Sequence, residues 1–304
     1  MDYASQRIFT RIGGVEGAPA LVLIHGFPTA SWDWEALSPV LGQHYSLYTL
    51  DLIGFGFSAK PVDYDYSLRD QATLVESLLA RERVRAYHVL AHDYGDSVAQ
   101  ELLARQSDPG ERPTLLSVAF LNGGLFPETH RPVLIQKLLL SPLGPLVGRL
   151  ASRDRLADNM RRIFGAATQP DAALIDTFWE LMSANGGRAI AHKLIRDMVE
   201  RRDQRARWVG ALQHARIPLK LIVGAVDPIS GAHMAARYRE LVPHADITLL
   251  DAIGHYPQVE APDAVLDAYL AFRERCKSVP QCHSNSPLAT LALSSSATVP
   301  PKSG

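Results

Sequence analysis

The segment Val89-Leu90-Ala91-His92-Asp93-Tyr94-Gly95-Asp96 is where this 304-residue chain first shows a pattern able to do chemistry. An apolar run ends, a carboxylate follows, and Ser97, Val98 and Ala99 open a stretch with helical spacing. A strand, a sharp turn and a helix in immediate succession thrust the side chain at the tip into the open. Ala91 and Gly95 supply the small residues that close backbone approach demands on either side. A carboxylate there needs no base to become nucleophilic, because its pKa already lies about three units below neutrality. It suits attack on saturated carbon, giving an alkyl ester that an activated water then cleaves at the carboxyl carbon. Alone, Asp93 would serve equally well as the cap of the following helix, a position where Asp is favoured.

Three other segments add to the pattern. His25, Gly26, Phe27 and Pro28 follow the apolar run Leu21–Ile24, where a loop can aim backbone N–H groups at the turn as an oxyanion hole. Asp227 comes just past the strand-like run ending at Val223 and Gly224, and His255 lies in the loop after the next such run. The chain order is therefore nucleophile, acid, histidine, the order of a hydrolase triad on an α/β sheet. Each member falls at the carboxyl end of a strand, where such sheets bind ligands.

The elements that must hold these residues are legible in outline. Ala20–Ile24, Ser46–Leu52, Tyr87–Ala91, Leu115–Leu121, Pro218–Val223 and Ile247–Leu250 read as strands. Leu68–Arg81, Ser97–Arg105, Ala232–Leu241 and Pro262–Arg275 read as helices between them. The alternation predicts an α/β fold with a mostly parallel sheet flanked by helices. From Pro127 to Ile217 the strand signal stops, leaving a helix-like, Arg-rich segment broken by prolines. That segment holds 15 Lys or Arg against 9 Asp or Glu, a balance of +6, so the rest of the chain carries −7 of the total of −1. Residues 1–126 and 218–277 are thus expected to form the core and 127–217 a helical cap. The Ser-, Pro- and Thr-rich residues 278–304 are expected to stay disordered.

The segments His25–Pro28, Asp51–Ser58 (DLIGFGFS), His92–Gly95 and Gly254–Pro257 together resemble the epoxide hydrolase and haloalkane dehalogenase branch of the α/β-hydrolase fold. The resemblance runs from roughly Ile24 to Phe272 and implies a helical cap inserted after the sixth strand. It also implies roles: Asp93 as nucleophile, His255 as the base that activates water, and Asp227 as the acid that orients His255. The N–H groups of Phe27 and Tyr94 would receive the oxyanion. The sequence departs from both enzyme classes at the leaving group. Residues 127–217 contain no tyrosine to protonate an opening epoxide, and Tyr94 stands where dehalogenases place a halide-binding tryptophan. The phenol of Tyr94 and the indoles of Trp32, Trp34, Trp179 and Trp208 are the substitutes available, although core packing is the commoner use of such rings. The expected substrate is a small apolar epoxide or haloalkane. Acyl-ester or lactone hydrolysis, or a noncatalytic binding protein on the same fold, are the alternatives.

Composition narrows the remaining classes. A net charge of −1 gives no overall attraction to polyanions, so nucleic acid is not an expected partner. Cys276 and Cys282 are too few for a disulfide framework or a four-cysteine metal site. His130, His192, His214, His233 and His244 lack the spacing of a zinc site, so no metal and no cofactor are expected. His25 and His92 read as supports of the oxyanion loop and the turn. The basic cap reads as a solvated helical face, with membrane contact the minority reading. No secretion signal is apparent at the start, and Val133–Leu150 is interrupted well short of the roughly 20 apolar residues that span a bilayer. A cytoplasmic location and a single small-molecule substrate are the defaults, and the sequence leaves oligomeric state open.

Overall fold

The computed structural model describes residues 1–278. The expected disordered tail beyond them, with Cys282, lies outside the described residues. Among the described residues nine strands occur: β1 (Asp2–Tyr3), β2 (Gln6–Arg7), β3 (Thr10–Gly14), β4 (Ala20–Ile24), β5 (Ser46–Leu50), β6 (Ala86–His92), β7 (Thr114–Leu121), β8 (Leu219–Gly224) and β9 (Ile247–Leu250). β1 and β2 pair only with each other, and the rest form one sheet in the order β3-β5-β4-β6-β7-β8-β9. β3 runs antiparallel to β5, while every other pairing in that sheet is parallel.

β4 reads Ala-Leu-Val-Leu-Ile and is buried at all five positions. Continuous apolar runs suit a parallel sheet covered on both faces, where neither side of the pleat meets water. Side chains alternate between two packed layers, as the period of a strand requires. Val22 and Ile24 join Val89, Leu68 and Val98 on one face. Leu21 and Leu23 join Leu90, Trp34, Val265 and Tyr269 on the other. Helices Leu68–Arg81, Tyr94–Arg105 and Ala232–Leu241 pack on the first face, and Pro262–Ser278 on the second. Ser67 opens the first of these helices, its side chain accepting the Asp70 N–H.

The chain between β7 and β8 contains helices and no strand, the longest being Arg153–Ile163 and Ala172–Ser183. It leaves the sheet after β7, the fifth of its seven strands in chain order. The strands of this sheet number seven among the described residues, and the short β1–β2 pair stands apart from it. No helix among the described residues is long and apolar enough to cross a membrane.

One buried carboxylate bridges core and insertion. Glu101, from helix Tyr94–Arg105, accepts hydrogen bonds from Arg105 at 3.0 Å, Arg207 at 2.9 Å and the Trp208 indole N–H at 2.8 Å. Its side chain is fully buried, so removing it leaves the Trp208 indole N–H without its acceptor, and leaves Arg105 and Arg207 with Glu76 and Asp108 as their remaining carboxylates. Glu101→Ala is expected to lower unfolding free energy by about 3 kcal/mol, read by urea denaturation. A loss under about 1 kcal/mol would show that the contact behaves as a surface ion pair.

Candidate active site

Asp93 stands between β6 and the helix Tyr94–Arg105 with φ +49° and ψ −106°. L residues rarely adopt such a backbone, at a cost on the order of 1–3 kcal/mol that the surroundings must offset. Glycines let those surroundings close in. A Cβ on Gly95 would lie 2.4 Å from the Ile24 carbonyl oxygen, and one on Gly26 would lie 2.8 Å from the Asp93 Cβ. The Asp93 N–H donates to the Leu121 carbonyl at 3.0 Å, tying the turn to the end of β7.

The two oxygens of Asp93 meet different environments. Oδ2 accepts the Phe27 N–H at 3.0 Å, whereas Oδ1 lies 3.8 Å from His255 Nε2, beyond direct hydrogen-bond length. On the far side of the imidazole, Nδ1 lies 2.8 Å from Asp227 Oδ2, which fixes the Nδ1–H tautomer. Asp227 is in turn held by the Ile229 N–H at 2.8 Å, the Asn122 side-chain amide at 2.9 Å and the Ser230 hydroxyl at 2.9 Å. Asp93, Asp227 and His255 therefore come together from the ends of β6, β8 and β9, as the sequence expectation placed them.

Five buried acids around this point carry different charges. Burial pushes Asp33 and Asp96 well above the usual carboxylate range, against the donors that each accepts from. Burial pushes Asp197 up to about 7 against the pull of Arg201. Burial also acts on Asp93, but His255, Arg201, His92 and the Phe27 N–H together outweigh it and hold that carboxyl below its ordinary value. Asp227 falls to about 2, because His255 and the donors around the carboxylate overcome the same penalty. His255 rises to about 9: desolvation pulls it down, yet the charge and hydrogen bond of Asp227 and the charge of Asp93 pull harder. The resting site is thus two carboxylates around one imidazolium.

The supporting histidines occupy the expected places. His25 Nδ1 bonds the Gly26 carbonyl at 2.8 Å and its Nε2 accepts the Leu52 N–H at 3.0 Å, fixing the loop that carries Phe27. His92 Nε2 bonds the His255 carbonyl at 2.8 Å, and burial lowers its pKa to about 3.

The leaving-group candidates fare differently, and none of their rings lines the cavity above Asp93. Trp34 is fully buried in the layer beneath the sheet, and Trp208 spends its N–H on Glu101. Trp32 packs edge-on against Phe178 at 5.9 Å, and Trp179 lies under the Arg188 guanidinium at 5.5 Å. The Tyr94 ring is buried against Phe55 at 5.0 Å, and burial drives its phenol well above the ordinary value. Trp34, Trp208 and Tyr94 pack where water is already excluded, whereas Trp32 and Trp179 are half-buried against Phe178 and Arg188.

Sequence reasoning missed Asn122, Ser230, Arg201 and His130. Asn122 follows β7 at φ +42°, and its amide bridges Asp227 and the Gly224 carbonyl. An Asn before Gly123-Gly124 at a strand end was the available signal. Arg201 and Asp197 form a buried pair at 2.5 Å that acts on Asp93 from the cap side, and nothing in the local sequence marks it. His130 has no partner on either ring nitrogen, and burial followed by Arg201 lowers it to about 4. Among the described residues no three His, Cys, Asp or Glu side chains are grouped so as to hold a metal ion.

A cavity of about 680 Å³ opens onto Asp93 and His255. Val133, Ile135, Leu139, Val147, Leu156 and Met182 form its apolar wall, so the insertion supplies most of the surface a substrate would meet.

The fold and this strand-end arrangement define a family. Residues 21–268 match the alpha/beta hydrolase family, and the chain belongs to it. The chain is 40% identical over 280 residues to the mesoderm-specific transcript protein of Mus musculus, covering 89% of this chain and 84% of that one. Two solved structures share the fold at lower identity. A haloalkane dehalogenase loop variant from Bradyrhizobium elkanii is 20% identical with a TM-score of 0.71, over 91% of this chain and 97% of that one. An epoxide hydrolase is 18% identical with a TM-score of 0.73, over 90% and 96%.

The charged trio ties stability to pH in two windows. His255 is raised above 6.5 to about 9, so its contribution is complete below pH 6.5 and is lost as pH rises through 9. Asp227 is lowered from 3.8 to about 2, so its contribution is present above pH 3.8 and is lost as pH falls through 2. His255→Gln is expected to abolish the fall between pH 6.5 and 9, measured as denaturation midpoint against pH. A variant retaining the wild-type slope there would assign the loss to other groups.

Proposed function

We propose that the protein is a hydrolase in which Asp93 attacks carbon to form an alkyl-enzyme ester. The observation carrying this reading is the hydrogen bond from the Phe27 N–H to Asp93 Oδ2. A backbone donor already engaged by the nucleophile's own oxygen is poised for charge that develops on the Asp93 carboxyl group. That charge appears when water attacks Asp93 Cγ. The Tyr94 N–H, in the first turn of its helix where amides have no intrahelical acceptor, is the second donor in this reading. Oδ1, on the His255 side, is the attacking atom.

The steps balance for an epoxide. Oδ1 forms a bond to one ring carbon as the ring C–O bond breaks, leaving an alkoxide on the neighbouring carbon. The His255 imidazolium gives its proton to that alkoxide and becomes neutral. Esterification has removed the Asp93 charge that helped hold the proton, so this transfer is easier than in the resting enzyme. Neutral His255, steadied by Asp227, then takes a proton from water as the hydroxide adds to Cγ. Collapse breaks the Cγ–O bond to the substrate, and the proton on His255 reaches the departing alkoxide. Transfer of the remaining carboxyl proton back to His255 restores the imidazolium and the Asp93 carboxylate, and a diol is released.

The resting imidazolium favours an epoxide over a halide. An opened epoxide is one proton short, and His255 carries one to give; a departing halide needs none. The cavity lining holds no Trp or Tyr to cradle a halide. Acyl-ester or lactone hydrolysis is the second reading. It is favoured by the same imidazolium beside Asp93, which could protonate a leaving alkoxide on the nucleophile's side, and disfavoured by the engaged Phe27 N–H. The apolar wall and the volume of about 680 Å³ suit an extended apolar substrate better than a small one.

His255→Gln keeps the nucleophile and removes the water-activating base. Because His255 also supplies the proton for epoxide opening, the epoxide adduct is sought by acid-quenching wild type within one turnover and the haloalkane adduct by incubating His255→Gln; each is expected on the Asp93 peptide, read by intact-protein and peptide mass spectrometry. An epoxide adds its whole mass, a haloalkane its mass less hydrogen halide. Asp93→Asn is expected to form no adduct and to lose turnover by about 10³-fold or more. Full turnover in Asp93→Asn would contradict the proposal.

A further inference from the structure

Five leucines of the insertion are exposed around the mouth of the cavity: Leu134 at 66%, Leu138 at 40%, Leu143 at 62%, Leu146 at 53% and Leu150 at 58%. Single exposed leucines are ordinary on soluble proteins. These five, however, fall within one stretch of chain and repeat with helical spacing. Leu134 and Leu138 are one turn apart on helix Leu134–Leu140. Leu143, Leu146 and Leu150 follow at steps of three and four along helix Gly144–Arg149 and its ends. The two helices pack against each other, so the leucines form one apolar rim. Leu134, Leu138 and Leu150 also line the cavity, which makes the rim continuous with the wall leading to Asp93.

The charge around the rim is predominantly basic, with Asp158 the exposed acid in the cavity lining. No acidic residue occurs from Thr129 to Arg153, and exposed Arg131, Lys137 and Arg149 flank the leucines. Exposed Arg155, Arg162 and Arg188 stand at the cavity itself. From 131 to 162 there are seven Lys or Arg against two Asp, a balance of +5. A second copy of the chain would bring this charge against its like. Nucleic acid would leave the leucines without a role. An anionic bilayer satisfies both features, since leucines enter the acyl boundary while arginines and lysines meet the headgroups.

Building on the reading of this cavity as the substrate site, we infer that the leucine rim docks the protein on an anionic lipid surface and that its substrate is a long-chain apolar molecule drawn from the membrane. The chain would slide from the acyl layer past Leu134, Leu138 and Leu150 to Asp93, without crossing water. The sequence alone reads Val133–Leu150 as a buried or interface-lying segment, because the spacing of the leucines gives no sign of which way they point.

Co-sedimentation of the full chain with vesicles tests the docking. Phosphatidylcholine vesicles with and without half phosphatidylglycerol are the probes, and Leu143→Glu/Leu146→Glu is the variant, since neither residue lines the cavity. Wild type is expected to pellet with the anionic vesicles and to be released as salt rises toward 1 M, where charge interactions are screened within about 3 Å. The double variant is expected to bind at least about tenfold more weakly with an unchanged circular dichroism spectrum and unchanged turnover of a water-soluble epoxide. Asp93→Asn is expected to bind like wild type, so docking is read independently of the chemistry. Wild type remaining in the supernatant with both vesicle types would overturn the inference. So would equal binding by the double variant, or a dimer in analytical ultracentrifugation that the double variant disperses.

Discussion

One carboxylate kept charged inside a nearly dry site is the constraint that the rest of the molecule serves. Asp33, Asp96 and Asp197 show what burial does to a carboxyl in this neighbourhood: each is pushed toward its neutral form. Asp93 escapes that fate because the imidazolium of His255, the guanidinium of Arg201 from the insertion, the His92 ring and the Phe27 N–H converge on it. A strained backbone at φ +49° aims it, and the helix that follows and the loop after β4 leave that turn little freedom.

The consequence is a division of labour between the two oxygens of one side chain. Oδ2 is anchored by the Phe27 N–H, and Oδ1 lies on the His255 side. A serine at the same tip would have one oxygen and would need the histidine to remove its proton before attack. In the proposed cycle the histidine is released from that duty and enters carrying a proton. On that proposal the raised pKa of His255 serves the first half-reaction, and the loss of charge on Asp93 prepares the second.

Much of this was legible because it sits where strands end. β4 and β6 announced themselves as apolar runs, and Asp93, Asp227 and His255 each occupy the loop immediately after such a run. The antiparallel edge strand Thr10–Gly14 went unread, since Thr-Arg-Ile-Gly-Gly is exposed at most positions and shows no apolar run. Asn122 went unread because its role is a contact across 105 positions of sequence. The tryptophans misled for a related reason. Residue type says that Trp34 and Trp208 will bury a ring, but only packing decides whether that ring faces a cavity or a sheet.

The direct test of the central claim is a single turnover in heavy-oxygen water with enzyme in excess over an epoxide it hydrolyses, followed by mass analysis of the peptide containing Asp93. If water attacks Cγ of an ester on this residue, the heavy isotope enters the Asp93 carboxyl group and the diol forms without it. Heavy oxygen found only in the product would mean that water attacks the substrate itself, and Asp93 would not be the nucleophile.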